Sequence, residues 1–347
     1  MTAEKLSYRG QIKRLASAPG KESAESTWGD TRDGSVYLVD PELRLSAEIA
    51  IASNRPLLLR GRPGSGKSSL AAYLARNLKA RYYELVVTSR TQAQDVLWSF
   101  DNIRKLADAQ ARIKGDPPLN DYDYVEPGVL WWVLNRRSAF RRGAPKAVPI
   151  ETEATEPNAS VNAKRSPDAA VVLIDEIDKA DPDVPNGLLV PIGSSEFTVQ
   201  ETRTRVRPLT RGADRIRQLL ITITTNETRD LPDAFVRRCV VHYLDYPDED
   251  RLVRIAKIHG SRWRLPSKAS DENLCREVAR RLIKLRREAK TDRSRPPSTA
   301  EYLDAIKACR ALDVNVGSEA WQRIERVCLL KKRVSGADGQ DTGSAGS

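Results

Sequence analysis

The sequence predicts an α/β fold, a mainly parallel sheet flanked by helices, followed by a small all-α domain. Three observations predict it. Short apolar runs at 56–60, 81–88, 169–175, 219–225 and 240–246 alternate with segments of helical spacing, as parallel strands joined by crossovers do. The first of these runs leads directly into a glycine-rich loop and then a helical pattern. Beyond residue 247 only helical patterns remain, at 249–259, 271–287, 298–312 and 318–331.

Residues 1–35 mix Gly, Ser, Lys and Glu without periodicity and read as an N-terminal extension. Asp40 followed by Pro41 has the chemistry of a helix start, with a helix expected to about Ser53 and Leu43, Leu45, Ile49 and Ile51 as its apolar members. Leu57, Leu58 and Leu59 form the first buried strand. The loop that follows, Gly61, Arg62, Pro63, Gly64, Ser65, Gly66, Lys67, Ser68, fits G-x-x-x-x-G-K-S/T, and Ser69 opens the helix after it. Strand, glycine loop and helix are the context a phosphate-binding P-loop requires. The glycines let backbone N–H groups turn inward toward phosphate oxygens, and the helix N-terminus adds its positive end. Lys67 is placed to reach the β- and γ-phosphates, and the Ser68 hydroxyl to ligate Mg²⁺.

After a second strand at 81–88, the pattern predicts helical residues at Val96, Leu97 and Trp98 and a helix over 107–114. A turn follows at 122–128, then a helix carrying Val129, Leu130, Trp132, Val133 and Leu134. Trp131 and Trp132 are adjacent and point about 100° apart on a helix, which predicts one in the core and one at an interface. Residues 141–168 contain Pro145, Pro149, Pro157 and Pro167 and read as a mobile surface insertion.

A P-loop needs a metal-holding acid on a neighbouring strand. Val171, Val172, Leu173 and Ile174 bury such a strand, and Asp175 emerges at its carboxyl end, where parallel sheets bind ligands. Asp175 is expected to hold Mg²⁺, and Glu176 to polarise a water for attack on the γ-phosphate. Segment 196–208 reads as a hairpin in which Arg203, Arg205 and Arg207 alternate and share one face; Arg211, Arg215 and Arg217 extend the basic run. That face suits an acidic polypeptide or nucleic acid, or serves as a charged edge that resists aggregation.

These motifs resemble those of the AAA+ ATPases, over about residues 36–330. The run from Asp175 through Asp178, Lys179 and Asp181 resembles the Walker B region of the MoxR-like branch. Tyr124 through Leu130 resembles its aromatic–Gly–x–Leu element, and Pro185 through Leu189 its x-Asn-x-Leu-Leu helix. The tail at 334–347, rich in Gly, Ser and Asp, is expected to be disordered. The resemblance implies a P-loop NTPase domain at 36–246 and a helical lid at 247–333. It implies that Asn226, ending the strand 221–226, orients the attacking water with Glu176. It also implies that Arg238, with Arg237 second, reaches the γ-phosphate bound by the next subunit. The branch usually carries an arginine where this chain has Thr299, with Arg295 nearby as a substitute.

The expected activity is therefore Mg²⁺-dependent ATP hydrolysis by a ring, a hexamer, that remodels or activates a protein partner, one with a von Willebrand factor A domain in many members. A nucleic-acid-directed motor is the alternative, favoured by a net charge of +11 but without a recognisable DNA-binding motif. A nucleotide-gated scaffold in a defence or signalling complex is another. No apolar run approaches the roughly 20 residues of a membrane span. The N-terminus lacks a signal-peptide core, and Cys239, Cys275, Cys309 and Cys328 are widely spaced, so a cytoplasmic protein with reduced thiols is expected.

Overall fold

The computed structural model describes residues 34–210, 212, 215–263, 271–292 and 294–331. Most of the N-terminal extension, Arg211 and the C-terminal tail lie outside the described residues. The chain divides into two compact units, Met1–Asp245 and Tyr246–Ser347.

The first unit is built on strands β1 (Leu57–Arg60), β2 (Ala80–Val86), β3 (Trp98–Phe100), β4 (Val125–Pro127), β5 (Ser166–Asp175), β6 (Phe197–Val199), β7 (Thr204–Val206), β8 (Gln218–Thr225) and β9 (Val240–Tyr243). The main sheet has the order β2-β5-β8-β1-β9, and every pair in it is parallel. Both faces are covered, so its central strands read as continuous apolar runs; Leu57, Leu58, Leu59 and Val171 to Ile174 are fully buried. Their side chains alternate between two cores. Leu58, Val172, Ile174 and Ile223 face one, and Leu57, Leu59, Val171 and Leu173 face the other, where Leu70 and Leu74 of the P-loop helix Lys67–Asn77 pack.

The helix Pro41–Ser53 begins as expected, with the Asp40 carboxylate accepting the Leu43 N–H at 2.7 Å. Its buried face differs from the expected one. Leu43, Ala47 and Ala50 are buried at i, i+4, i+7, while Leu45 and Ile49 are exposed. Small side chains let this helix lie close to the sheet, and the larger apolar pair falls on the other face.

Several local expectations give way to tertiary pairing. Trp98 is in a strand, not a helix, because β3 pairs antiparallel with β4 and its ring stacks on Phe197 at 5.5 Å. The helix expected at 107–114 runs over Asn102–Ala111, started by the Asp101 cap on the Arg104 N–H and ended where Arg112 turns extended. Trp131 and Trp132 are both buried. The first packs edge-on against Phe197; the second packs against Phe140 and donates its indole N–H to the Pro127 carbonyl at 3.1 Å. The hairpin β6–β7 forms as expected, with Arg203, Arg205 and Arg207 exposed and Arg205 paired to Glu196 at 2.7 Å.

Residues 141–168, which the sequence presents as a surface insertion, bury Arg142, Ala144, Ala154, Glu156 and Asn162. Glu156 anchors the stretch. It accepts from the Tyr83 hydroxyl at 2.7 Å and from Nε and one terminal nitrogen of Arg136, at 2.9 and 2.6 Å. Burial alone would raise its pKa, but the bonds from Arg136 and Tyr83 outweigh burial and hold the carboxyl below its ordinary value of 4.5. Glu156→Gln is expected to destabilise the full chain by about 2–3 kcal/mol at neutral pH, read as a lower urea midpoint. Because the folded pKa is depressed, this stabilisation is whole above 4.5 and fades as pH falls through the folded value. The gap between variant and parent should therefore close in acid.

The second unit is helical: Glu249–Gly260, Asp271–Thr291, Thr299–Leu312 and Glu319–Ile324, the last widening into a π-helical turn over Glu325–Leu330. Leu252, Val278, Leu282, Tyr302, Ile306 and Trp321 form its core. Ser298 and Glu301 make a reciprocal capping box at the start of the third helix. Cys275 and Cys309 are buried here, as Cys239 is in the first unit, and all the cysteines are free. Among the described residues no helix is long and apolar enough to cross a membrane.

Candidate active site

Sheet register assembles the site. Arg60 aligns with Thr225, and Ile174 with Ile223, so β1, β5 and β8 end side by side. Gly61, Asp175 and Asn226 stand at or one residue past those ends. The chain must bend sharply after β1 while passing the end of β9. A Cβ on Gly61, whose φ is 138°, would lie 2.3 Å from the Leu244 carbonyl oxygen, so only glycine fits. Gly66, at φ 97°, then launches the helix that begins at Lys67.

Lys67 is buried, and its ammonium donates to the Gly61 and Arg62 carbonyls at 2.6 and 2.9 Å. Burial lowers its pKa, opposed by the nearby carboxylates of Asp175, Asp178 and Glu176. Arg62, Pro63 and Gly64 are exposed at the loop's rim, and Ser65, Ser68 and Ser69 are half-buried. The Ser65 hydroxyl oxygen is itself buried without a hydrogen-bond partner.

Asp175 is buried, and its Oδ1 accepts from the Ser68 hydroxyl at 2.8 Å and the Thr224 hydroxyl at 2.6 Å. The two residues expected to ligate Mg²⁺ thus touch each other, although they are far apart in sequence. Thr224 does double duty, since its oxygen also accepts the Glu176 N–H at 2.8 Å. Glu176 adopts the left-handed conformation, φ 61°. Its Oε1 accepts from the Asn226 amide at 3.0 Å, and its Oε2 is paired with the Lys179 ammonium. The contact raises the pKa of Lys179, chiefly through its hydrogen bond to Glu176, and keeps it charged.

Three residues of this constellation receive no role from the sequence: Thr224, Asp178 and Lys179. Asp178 is buried and accepts from the Asn226 N–H at 3.2 Å and from the Thr228 N–H and hydroxyl at 3.0 and 2.6 Å. Burial would raise its pKa; these bonds outweigh burial and lower it. A signal for Thr224 exists in the Ile–Thr alternation of β8, which puts hydroxyls on a strand buried on both faces. Asp178 has no comparable signal, because it follows Asp175 and Glu176 in one acidic run.

Arg237 and Arg238 are exposed at the end of the short helix Asp233–Val236, which buried Phe235 anchors, and Arg238 donates to the Ala234 carbonyl at 3.1 Å. In the second unit Thr299 accepts from Arg286 at 3.4 Å, and Arg295 is paired with Glu301 at 3.0 Å. Arg286 also lies 3.9 Å over the Tyr246 ring, and burial pushes its pKa down to about 10.

The donor set fits a nucleotide with a hard divalent cation. Gly61, Gly64 and Gly66 all have positive φ, a lysine stands at the helix start, and a hydroxyl and a carboxylate oxygen meet beside it. Among the described residues no group of three or more His, Cys, Asp or Glu could hold a metal by itself. A cation held by Ser68 and Asp175 would need phosphate oxygens and water to complete its shell, as Mg²⁺ commonly does.

Residues 56–119 match the family model described as AAA domain (dynein-related subfamily). No curated protein matches the chain. Among solved structures it is similar to the RuvB Holliday junction branch migration motor of Thermotoga maritima, at 14% identity, covering 82% of this chain and 67% of that one with a TM-score of 0.42. It is also similar to a candidate ATPase from Cytophaga hutchinsonii, at 15% identity, covering 94% of this chain and 88% of that one with a TM-score of 0.42. The matched segment, which resembles an AAA domain, carries the P-loop, and the fold brings the acids of β5 and the end of β8 to it, the arrangement of an ATPase site.

Proposed function

We propose that this ATPase acts as a MoxR-like ring that couples Mg²⁺-dependent ATP hydrolysis to remodelling or activating a partner protein. The observation that carries the hydrolytic part is the contact of the Asn226 amide with the Glu176 carboxylate at 3.0 Å. A carboxylate and an amide so joined can share one water, the carboxylate taking its proton and the amide fixing its direction. Lys67 exchanges its loop carbonyls for the β- and γ-phosphate oxygens, which the loop glycines bring within reach. Ser68 and Asp175 would hold Mg²⁺, which would supply neutralising charge on the phosphates. Arg238, with Arg237 as its neighbour, stabilises the transferred phosphoryl group from the adjacent subunit; the exposure of both supports a role outside their own chain. In this reading residues 36–246 bind nucleotide and residues 247–333 are the lid.

Support for the MoxR-like assignment is the Walker B string with the Gly128 element. A Cβ on Gly128 would lie 2.6 Å from the Val96 backbone, so that glycine is required where the helix Val129–Leu134 starts. The partner class, including one with a von Willebrand factor A domain, rests on the resemblance. A second reading, a motor acting on nucleic acid, is favoured by the exposed Arg203, Arg205 and Arg207 of the hairpin.

Steady-state ATP hydrolysis across a protein concentration series tests the ring, with light scattering on the same samples. Specific activity is expected to rise as the ring assembles. Activity that stays constant while scattering shows monomers becoming rings removes the shared site. Addition of DNA then separates the two readings. Stimulation that collapses with salt favours the nucleic-acid motor, and indifference to DNA favours the protein partner.

A further inference from the structure

We propose that the turn 226–228 is held by a two-sided clamp, Asp178 on one flank and Arg60 on the other, and that this clamp positions Asn226 against Glu176. The inference rests on the roles given above to Glu176 and Asn226.

Within the turn the Glu227 N–H donates to the Thr225 hydroxyl at 3.0 Å, and contacts from outside it hold the rest. Glu227 adopts φ 60°, a left-handed conformation that disfavours a residue with a Cβ unless its surroundings impose it. Two sets of contacts from outside the turn add to that bond. Inside, the buried Asp178 uses both carboxylate oxygens: Oδ1 takes the Asn226 N–H, and Oδ2 takes the Thr228 N–H and hydroxyl. Outside, Arg60 donates from Nε and from a terminal nitrogen to Glu227 Oε1, at 2.8 and 2.7 Å. Arg60 is itself steadied over the Tyr243 ring at 5.0 Å. Asp178 thus fixes the backbone of Asn226 and Thr228, Arg60 holds the Glu227 side chain, and the Asn226 amide is left pointing at Glu176 Oε1.

The location gives the clamp its consequence. Arg60 immediately precedes Gly61, and Asp178 is two residues beyond Glu176. The group that orients the water is tied to the strand that delivers the P-loop and to the strand that delivers the acids. A shift in either strand end moves Asn226. The charge of Asp178 matters as well as its shape. An asparagine there has one acceptor oxygen where the turn needs two, and its amide donors face an N–H.

The test uses full-length Asp178→Asn, Thr228→Val and the exchange pair Arg60→Glu and Glu227→Arg, singly and combined. Each is measured for kcat and for ATP affinity by nucleotide binding. Asp178→Asn is expected to lower kcat about 10–100-fold with ATP affinity unchanged. Thr228→Val, which keeps shape and removes a single donor, should give a smaller loss of the same kind. Arg60→Glu and Glu227→Arg should each lower kcat, and the double exchange should recover most of it. Parental kcat in Asp178→Asn overturns the clamp, as does a loss of affinity that matches the loss of rate. A double exchange no better than its single parents removes Arg60 from it. Glu176→Gln run beside them separates the layers. Turnover surviving in Glu176→Gln means the assignment of the base has failed, whereas a dead Glu176→Gln with an unaffected Asp178→Asn means only the clamp has failed.

Discussion

Glu176→Gln is expected to lower kcat for ATP hydrolysis by about 10²–10⁴-fold while ATP still binds. The substitution is nearly isosteric, and its amide oxygen can still accept from Asn226. What it loses is the negative charge and the lone pairs that take a proton from water. The residue does not line the P-loop, so binding through Lys67 and the loop backbone should persist. The left-handed backbone at position 176 is unchanged by the substitution, and the Glu176 N–H to Thr224 bond does not depend on the side chain. Single-turnover hydrolysis and equilibrium ATP binding read the two properties separately. A variant within tenfold of the parental rate removes Glu176 as the base. A variant that loses ATP binding shows instead that the site has collapsed.

Arg238→Ala is expected to have an effect of similar or greater size, about 10³–10⁵-fold on kcat, with Arg237→Ala much milder. The argument is geometric. Arg238 is exposed, capping the short helix Asp233–Val236 by its bond to the Ala234 carbonyl, and that cap is easily exchanged for a phosphate oxygen. A head-to-tail ring brings such an edge to the site of the next subunit. Mixing separates this role from a structural one. Inactive Arg238→Ala subunits retain Glu176, and inactive Glu176→Gln subunits retain Arg238. In a random equimolar ring about a quarter of the interfaces carry both, so activity should return to roughly that fraction of the parental value. No recovery in mixed rings of confirmed assembly would sink the trans role, and a stronger effect of Arg237→Ala would move it one residue upstream.

Much of the site is legible in the sequence alone. The P-loop needs glycines, a lysine and a hydroxyl at fixed spacing on a strand–loop–helix, and all of that is local. Asp175 and Glu176 are legible because an apolar strand buried on both faces must release its first polar residues at its end. Asn226 is legible only through the resemblance of the strand that it ends, since β8 carries Thr222, Thr224 and Thr225 before it. The order of helices in the second unit is legible from helical spacing, whereas its caps, Asp248 and Ser298, emerge only in the structure.

The departures have one cause. The immediate neighbours of Trp98 favour a helix, but a partner 29 residues away, Pro127, makes it a strand. The prolines of residues 141–168 suggest a surface insertion, but Glu156 finds Tyr83 and Arg136 and takes the stretch into the core. Hydrophobicity assigns Leu45 and Ile49 to the core, but the close approach of the sheet selects Ala47 and Ala50.

Residue pattern along the chain already carries the P-loop, the alternation of strands and helices and the change to an all-helical second unit. Those follow from residue type at fixed spacing along one chain. Tertiary contacts alone show that Thr224 bridges Asp175 and Glu176, that Asp178 and Arg60 bind the turn carrying Asn226, and that Lys179 pairs with Glu176. The cross-strand partners among these are set by which strands are neighbours and in what register, and register is fixed by the packing of both sheet faces at once. No periodicity along a single strand encodes it.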